Sequence, residues 1–148
     1  MKVSTRVEYG MIALTDIAMY AEKGASVSGP EIAEREGISQ KYLEQILTHL
    51  KQAGLIRAQK GLRGGYTLSR PADRISIAEI LNALDNSILE KMKTEGGDGG
   101  RSLRGAVNAC LWEKMNRSLI DFAESKTLAG FAQECREQIS GDCDLYVI

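Results

Sequence analysis

Between Ser28 and Ser69 the chain carries punctuation that leaves few folds open. Ser28-Gly-Pro-Glu31 has the spacing of a capping box, with Pro30 in the first helical turn, where its missing N–H costs nothing. A short helix should follow through Ile32 and Ala33 to about Glu36, and Gly37 stops it. Ser39 can cap a second helix that buries Leu43, Ile46, Leu47 and Leu50 together with Tyr42, and Gly54 ends it as a C′ glycine does. Leu55 to Lys60 then reads as a strand and Tyr66 to Ser69 as its partner, with Gly61-Leu-Arg-Gly64-Gly65 as the turn. Two helices around a tight glycine turn form a helix-turn-helix unit, although a helical hairpin in a core looks similar. The hairpin directly after it gives the order of a winged helix-turn-helix.

The flanks extend this unit. Thr5 to Tyr20 reads as a helix, because Tyr9, Ile12, Ala13, Ile17, Tyr20 and Ala21 recur at three- and four-residue steps. Ser76 and Glu79 repeat the capping-box spacing ahead of a short helix to Leu84, with Ile77, Ile80, Leu81 and Leu84 inward. Periodicity is lost from Asp85 to Arg101, where Gly96-Gly-Asp-Gly-Gly100 marks a loop. A long helix is expected from about Ser102 to Glu124. Along it Trp112, Met115, Leu119 and Phe122 step by three and four residues, widened by Val107 and Leu111, a short coiled-coil-like seam. Thr127 to Ile139 reads as a last helix with Leu128, Phe131, Ala132 and Cys135 inward. The apolar tail Leu145 to Ile148 is expected to dock. The expected fold class is mainly α with a small β-wing. Residues 1–84 would form the winged helix-turn-helix domain, 85–101 a flexible loop, and 102–148 a dimerisation helix and C-terminal tail.

At 148 residues and 43% hydrophobic content the chain can bury a real core. Its longest apolar runs are far short of a membrane span, and Met1 to Thr5 lacks the apolar core of a secretory signal, so the expected compartment is the cytoplasm. The net charge of −1 hides a split. Residues 39–70 hold six basic residues, Lys41, Lys51, Arg57, Lys60, Arg63 and Arg70, against the single acid Glu44. The C-terminal half carries the acidic excess. A basic helix-turn-helix and hairpin suit a polyanion: the second helix for base edges in the major groove, the hairpin for phosphates or an adjacent minor groove. One histidine, His49, three dispersed cysteines and no phosphate-binding glycine loop supply no nucleophile–base constellation, which argues against an enzyme.

Six stretches carry a family resemblance: Ser4-Thr-Arg-Val-Glu-Tyr9, Ile32-Ala-Glu-Arg-Glu-Gly-Ile-Ser39, Tyr42-Leu-Glu-Gln45, Ala53-Gly-Leu55, Gly64-Gly-Tyr66 and Leu111-Trp112, with Thr127-Leu128 after the long helix. The chain resembles the Rrf2 family of bacterial winged-helix repressors over nearly its whole length. The resemblance implies a homodimer on a double-stranded DNA operator, with crossed long helices joined through Leu111, Trp112, Met115, Leu119 and Phe122. It implies a DNA surface containing Ser39, Tyr42, Glu44 and Gln45. Ser4, Arg6, Gln40, Lys41, Lys60, Arg63, Gly64, Gly65 and Tyr66 complete the candidate DNA contacts. Glu44 could accept from cytosine N4, or pair on its own helix with Lys41 or Lys51. Members of the family place an arginine near Lys60 in the minor groove, and here either Lys60 or Arg63 would take that role.

Many members also hold an iron–sulfur cluster on three cysteines before the long helix. Asp85 to Ala109 contains no cysteine, so the usual site is absent and no cofactor is expected. Glu8 and Cys110 are the remaining candidates for a non-standard cluster. Cys135 and Cys143 are candidates for a redox pair, within one chain or between subunits, as in cluster-free members that respond to cysteine oxidation or to a partner protein. The open alternatives are therefore a cluster sensor using Cys110 and Glu8, and a regulator controlled by a metabolic enzyme bound to the acidic half.

Overall fold

The computed structural model describes residues 2–21, 24–61, 64–90 and 101–145, with side chains as far as Gly141. Helix α1 (Thr5–Ala21) is the axis of the molecule. It buries Val7, Ala13, Leu14, Ile17 and Ala18 and packs on the second, third and fourth helices, the wing and the last helix. Its Gly10 lies so close to Leu84 that a Cβ there would fall 2.5 Å from a leucine methyl. Such an approach needs the missing side chain.

The capping box of α2 (Gly29–Glu36) is realised in both directions. Ser28 Oγ accepts from Glu31 N, and Glu31 Oε2 accepts from Ser28 N at 2.9 Å. Gly37 closes the helix in the left-handed conformation, φ 65°, which a residue with a Cβ adopts at a cost. Helix α3 (Gln40–Gln52) starts from Ser39, whose hydroxyl accepts from Tyr42 N, and buries Leu43, Ile46, Leu47 and Leu50. Strands β1 (Ile56–Gln59) and β2 (Gly65–Leu68) pair antiparallel, with Ile56 opposite Leu68 and Gln59 opposite Gly65. β1 is one residue shorter at each end than the sequence suggests, and β2 has the expected length but starts and ends one residue earlier. Lys60 and Ser69 fall just beyond the ladder. The wing is also pinned to the linker before α2: Tyr66 N donates to Val27 O at 2.7 Å, and Val27 N donates to Tyr66 O at 3.0 Å.

At α4 (Ile77–Leu84) only half of the expected capping box forms. Ser76 Oγ accepts from Glu79 N, but the Glu79 carboxylate turns outward to Arg70 at 2.6 Å. A full charge offers the carboxylate more than a second cap bond does. The expected long helix is observed as α5 (Leu103–Val107), a π turn over Asn108–Trp112, and α6 (Glu113–Ser125). Its backbone stays right-handed through both junctions. Helix α7 (Leu128–Leu145) continues past the expected end at Ile139. Residues 91–100 of the expected loop 85–101, Arg63, and residues 146–148 of the expected tail 145–148 lie outside the described residues.

The C-terminal helices are stitched to the N-terminal unit by backbone pairing. Ile77 N donates to Lys126 O and Leu128 N to Ile75 O. Ala123, Leu128 and Ala132 thereby join Leu14, Ile17, Leu47 and Ile80 in one core. Buried Asp16 on α1 takes a two-pronged bond from Arg35 on α2, at 2.8 and 3.1 Å, and the same guanidinium lies 4.2 Å over the Tyr20 ring. Glu36 stands beside this pair. Partial desolvation first, then the hydrogen bond to Asp16 and its charge, against a smaller pull from Arg35, hold the carboxyl of this otherwise exposed residue above the ordinary range.

That shift sets a sign. The folded chain keeps the Glu36 proton at a pH where the unfolded chain has lost it, so stability falls as pH rises out of the ordinary glutamate range. Glu36→Gln should therefore melt higher than wild type at pH 7.5, by roughly 1–3 °C, and the gain should vanish near pH 4. Melting curves at the two pH values check it. An equal effect at both would place the cause in packing.

Candidate nucleic-acid interface

Helix α3 is buried on one side because its apolar residues repeat at helical spacing. The same repeat leaves Gln40, Lys41, Gln45 and Thr48 exposed on the other side. Ser39 is exposed at the start of this face with its hydroxyl engaged in the cap, so only its remaining donor can point outward. Tyr42 is half-buried and meets Tyr9 edge-on at 5.8 Å, which fixes the ring against α1 and leaves its hydroxyl as the polar end.

Glu44 is turned more inward than the sequence suggests. It is half-buried, and a Cβ built on Gly29 would meet its Oε1 at 2.5 Å, so the carboxylate rests against the first turn of α2. It also bears on the wing: burial raises the Tyr66 phenol, and the negative charge of Glu44 adds to that rise. Among the described residues its ion pairs with Lys41 or Lys51 do not form; the ion pairs there are Arg35–Asp16, Arg70–Glu79 and Lys126–Glu134. Glu44 therefore stands between the reading helix, α2 and the wing.

The basic residues divide into two groups. Arg57 donates to Ser69 O across the hairpin, and Arg70 to Glu79 and Arg74 O, so both brace the fold. Lys41, Lys51 and Lys60 are exposed cations on the α3 and wing surface. Gly64 and Gly65 carry the chain into β2, and Gly65 sits where a Cβ would fall 2.7 Å from Val27 O. Ser4 and Arg6 lie exposed at the start of α1, and Arg6 comes to the edge of α3. There it meets His49, which the sequence shows only as the single histidine of the chain. A contact across 43 residues has no local signature.

A helix with a polar reading face, a basic wing pinned beside it and exposed cations around both make this a winged helix-turn-helix DNA-binding protein. The comparisons say which kind. A family model described as Rrf2, an iron-dependent transcriptional regulator, matches residues 3–134, and the chain belongs to that family. It is similar to the HTH-type transcriptional regulator IscR of Cereibacter sphaeroides, 36% identical over 132 residues that cover 87% of this chain and 85% of the relative. CymR, the global cysteine regulator of B. subtilis, superposes with a TM-score of 0.78 at 27% identity, covering 90% of this chain and 98% of that one. IscR of T. potens gives 0.74 at 33% identity over 93% and 90%. The relatives are transcriptional regulators and not enzymes. No described helix is long and apolar enough to cross a membrane.

The donors of this chain fit an iron–sulfur cluster poorly. Such clusters take several thiolates together. Cys110 is exposed on the π turn, Cys135 half-buried on α7, and Glu8 exposed on α1. Among the described residues no three His, Cys, Asp or Glu side chains gather. The fold also constrains the expected redox pair. The backbones of Cys135 and Cys143 are eight residues apart within α7, about 12 Å along an intact helix and too far for a bridge inside one chain, which leaves the pair between subunits. Burial, then the charge of Glu134, raise the Cys135 thiol, against a smaller opposing pull from Lys126. That shift keeps it from the reactive thiolate form.

Proposed function

We propose that this protein is a homodimeric, sequence-specific repressor that works in the cytoplasm and reads its signal without a resident iron–sulfur cluster. The observation that carries the dimer is an apolar stripe on the long helix. Leu103, Val107, Leu111, Met115 and Phe122 are all exposed, Leu103 at 82%. Four-residue steps drift by about 40° each on a regular α-helix. The π turn closes on i→i+5 bonds, takes more residues per turn and offsets that drift. The five side chains then share one face, whereas Trp112 and Leu119, half-buried in their own chain, flank it. A second copy of the same helix is the complementary occupant, since a two-fold pairing sets identical stripes against each other. Two winged units across such an axis suit DNA half-sites about one turn apart.

The signal belongs to redox, metal or sulfur metabolism on the strength of the relatives, and the donor set favours a thiol or a partner enzyme over a cluster. Repression fits a dimer that occupies promoter DNA. One preparation and one selection test the whole reading. Protein purified without oxygen should be colourless and iron-free, and should still draw an inverted repeat from a random duplex pool. Visible absorption with stoichiometric iron would replace this reading with the cluster sensor. Selection of a single unrepeated site would overturn the dimer.

A further inference from the structure

His49 is on α3 but does not face the bases with Gln40, Lys41 and Gln45. Its Nε2 lies 2.5 Å from the carbonyl oxygen of Ala83, in the last turn of α4, where carbonyls lack helical partners. A carbonyl only accepts, so this contact needs the tautomer with the proton on Nε2, which leaves Nδ1 as the acceptor of the ring. Arg6 Nη2 stands 3.1 Å from Nδ1 and 2.8 Å from Nε2, across the edge of the ring. In that tautomer the acceptor for the guanidinium is Nδ1, the more distant of the two nitrogens.

One imidazole thus ties three elements together: the exposed start of α1, the reading helix and the end of α4. Two recesses of mixed lining flank Arg6. One, of about 180 Å³, is shared with Tyr42 and Gln45 on the reading face. The other, of about 540 Å³, opens toward Ser4 and the end of α4. An arginine held by one nitrogen keeps its other donors in a fixed fork, the geometry that takes a phosphate oxygen pair. The long arginine side chain would otherwise sample many rotamers and lose entropy on binding.

We propose that His49 is a positioning residue, which holds Arg6 beside the reading face of α3 so that its guanidinium grips a DNA backbone phosphate next to the bases that Gln45 and its neighbours read. Arg6 is the phosphate contact, and His49 acts through it while capping α4.

The salt dependence of binding separates this role from a structural one. Each phosphate neutralised adds about 0.9 to the slope of log affinity against log salt. The probe is a labelled duplex that the wild-type protein has selected, read beside a mixed-sequence duplex of equal length. Arg6→Ala should lower the slope by about 0.9 per protomer on both duplexes. His49→Phe, which keeps a ring and loses both hydrogen bonds, should lower it by most of the same amount. His49→Gln, which keeps a donor for Ala83 and an acceptor for Arg6, should restore it. Arg6→Ala with His49→Phe should show no loss beyond Arg6→Ala alone. A wild-type slope in folded His49→Phe would reduce His49 to a cap. Should that variant fail to fold, the Arg6→Ala slope and the His49→Gln slope still decide. An unchanged slope in Arg6→Ala, or a lowered slope in folded His49→Gln, overturns the proposal, and neither result touches the DNA-binding reading beneath it.

Discussion

Leu111→Glu combined with Met115→Glu should turn the protein from a particle of twice 16.2 kDa into one of 16.2 kDa in sedimentation, with its helical circular dichroism intact. The two side chains are 44% and 48% exposed within the chain, so carboxylates there meet water and the single chain bears little cost. In a two-fold pairing the same positions face each other, and four buried carboxylates would have no partners, a penalty of several kcal/mol. Binding to the selected inverted repeat should fall by roughly a hundredfold or more, because two linked half-site contacts become one. Binding to a single half-site should change little. If the wild-type chain itself sediments at 16.2 kDa at micromolar concentration, the stripe has another occupant.

How far the sequence foretold this surface depends on what each residue type can signal by itself. Ser28, Glu31, Gly37, Ser39 and Gly54 act on their own neighbours, through caps and left-handed backbone, so the helix-turn-helix was legible almost residue by residue. The hairpin was legible too, since alternating residues around a glycine turn specify it locally. The π turn was not. It has no residue signature, and the seam expected through Trp112, Met115, Leu119 and Phe122 was read along an unbroken helix. The end of α7 misled for the opposite reason. Ser140-Gly-Asp142 has the composition of a stop, but Gly141 keeps φ outside the left-handed region and the helix runs on. The inward turn of Glu44 and the bond between Arg6 and His49 depend on elements far apart in sequence. Only the packed fold brings them together.

The wing carries the second large effect, and it turns on a methyl group. Gly65 does not have the positive φ that marks Gly24, Gly37, Gly54 and Gly61. Its requirement is space. A Cβ there would stand 2.7 Å from Val27 O, 2.8 Å from Val27 C and 3.1 Å from Ser28 N, all backbone atoms that no rotamer change can move away. Gly65→Ala must therefore push β2 off the Val27 linker and stretch the paired bonds between Val27 and Tyr66. The loss should be about 1–3 kcal/mol, the usual cost of forcing a methyl into a packed site. In a chain of this length it appears as a melting temperature lowered by roughly 3–10 °C. DNA binding should weaken further than stability alone explains, because β1 of the wing packs on α3 and the charge of Glu44 is felt at Tyr66 on β2. Gly141→Ala gives the opposite control. Nothing lies within 4 Å of its Cβ position on α7, so the substitution should stabilise by about 0.5–1 kcal/mol and leave DNA binding as it was. A Gly65→Ala protein that melts and binds as wild type would show that the wing is not seated on Val27. The DNA surface would then have to be built from α3 and Arg6 alone.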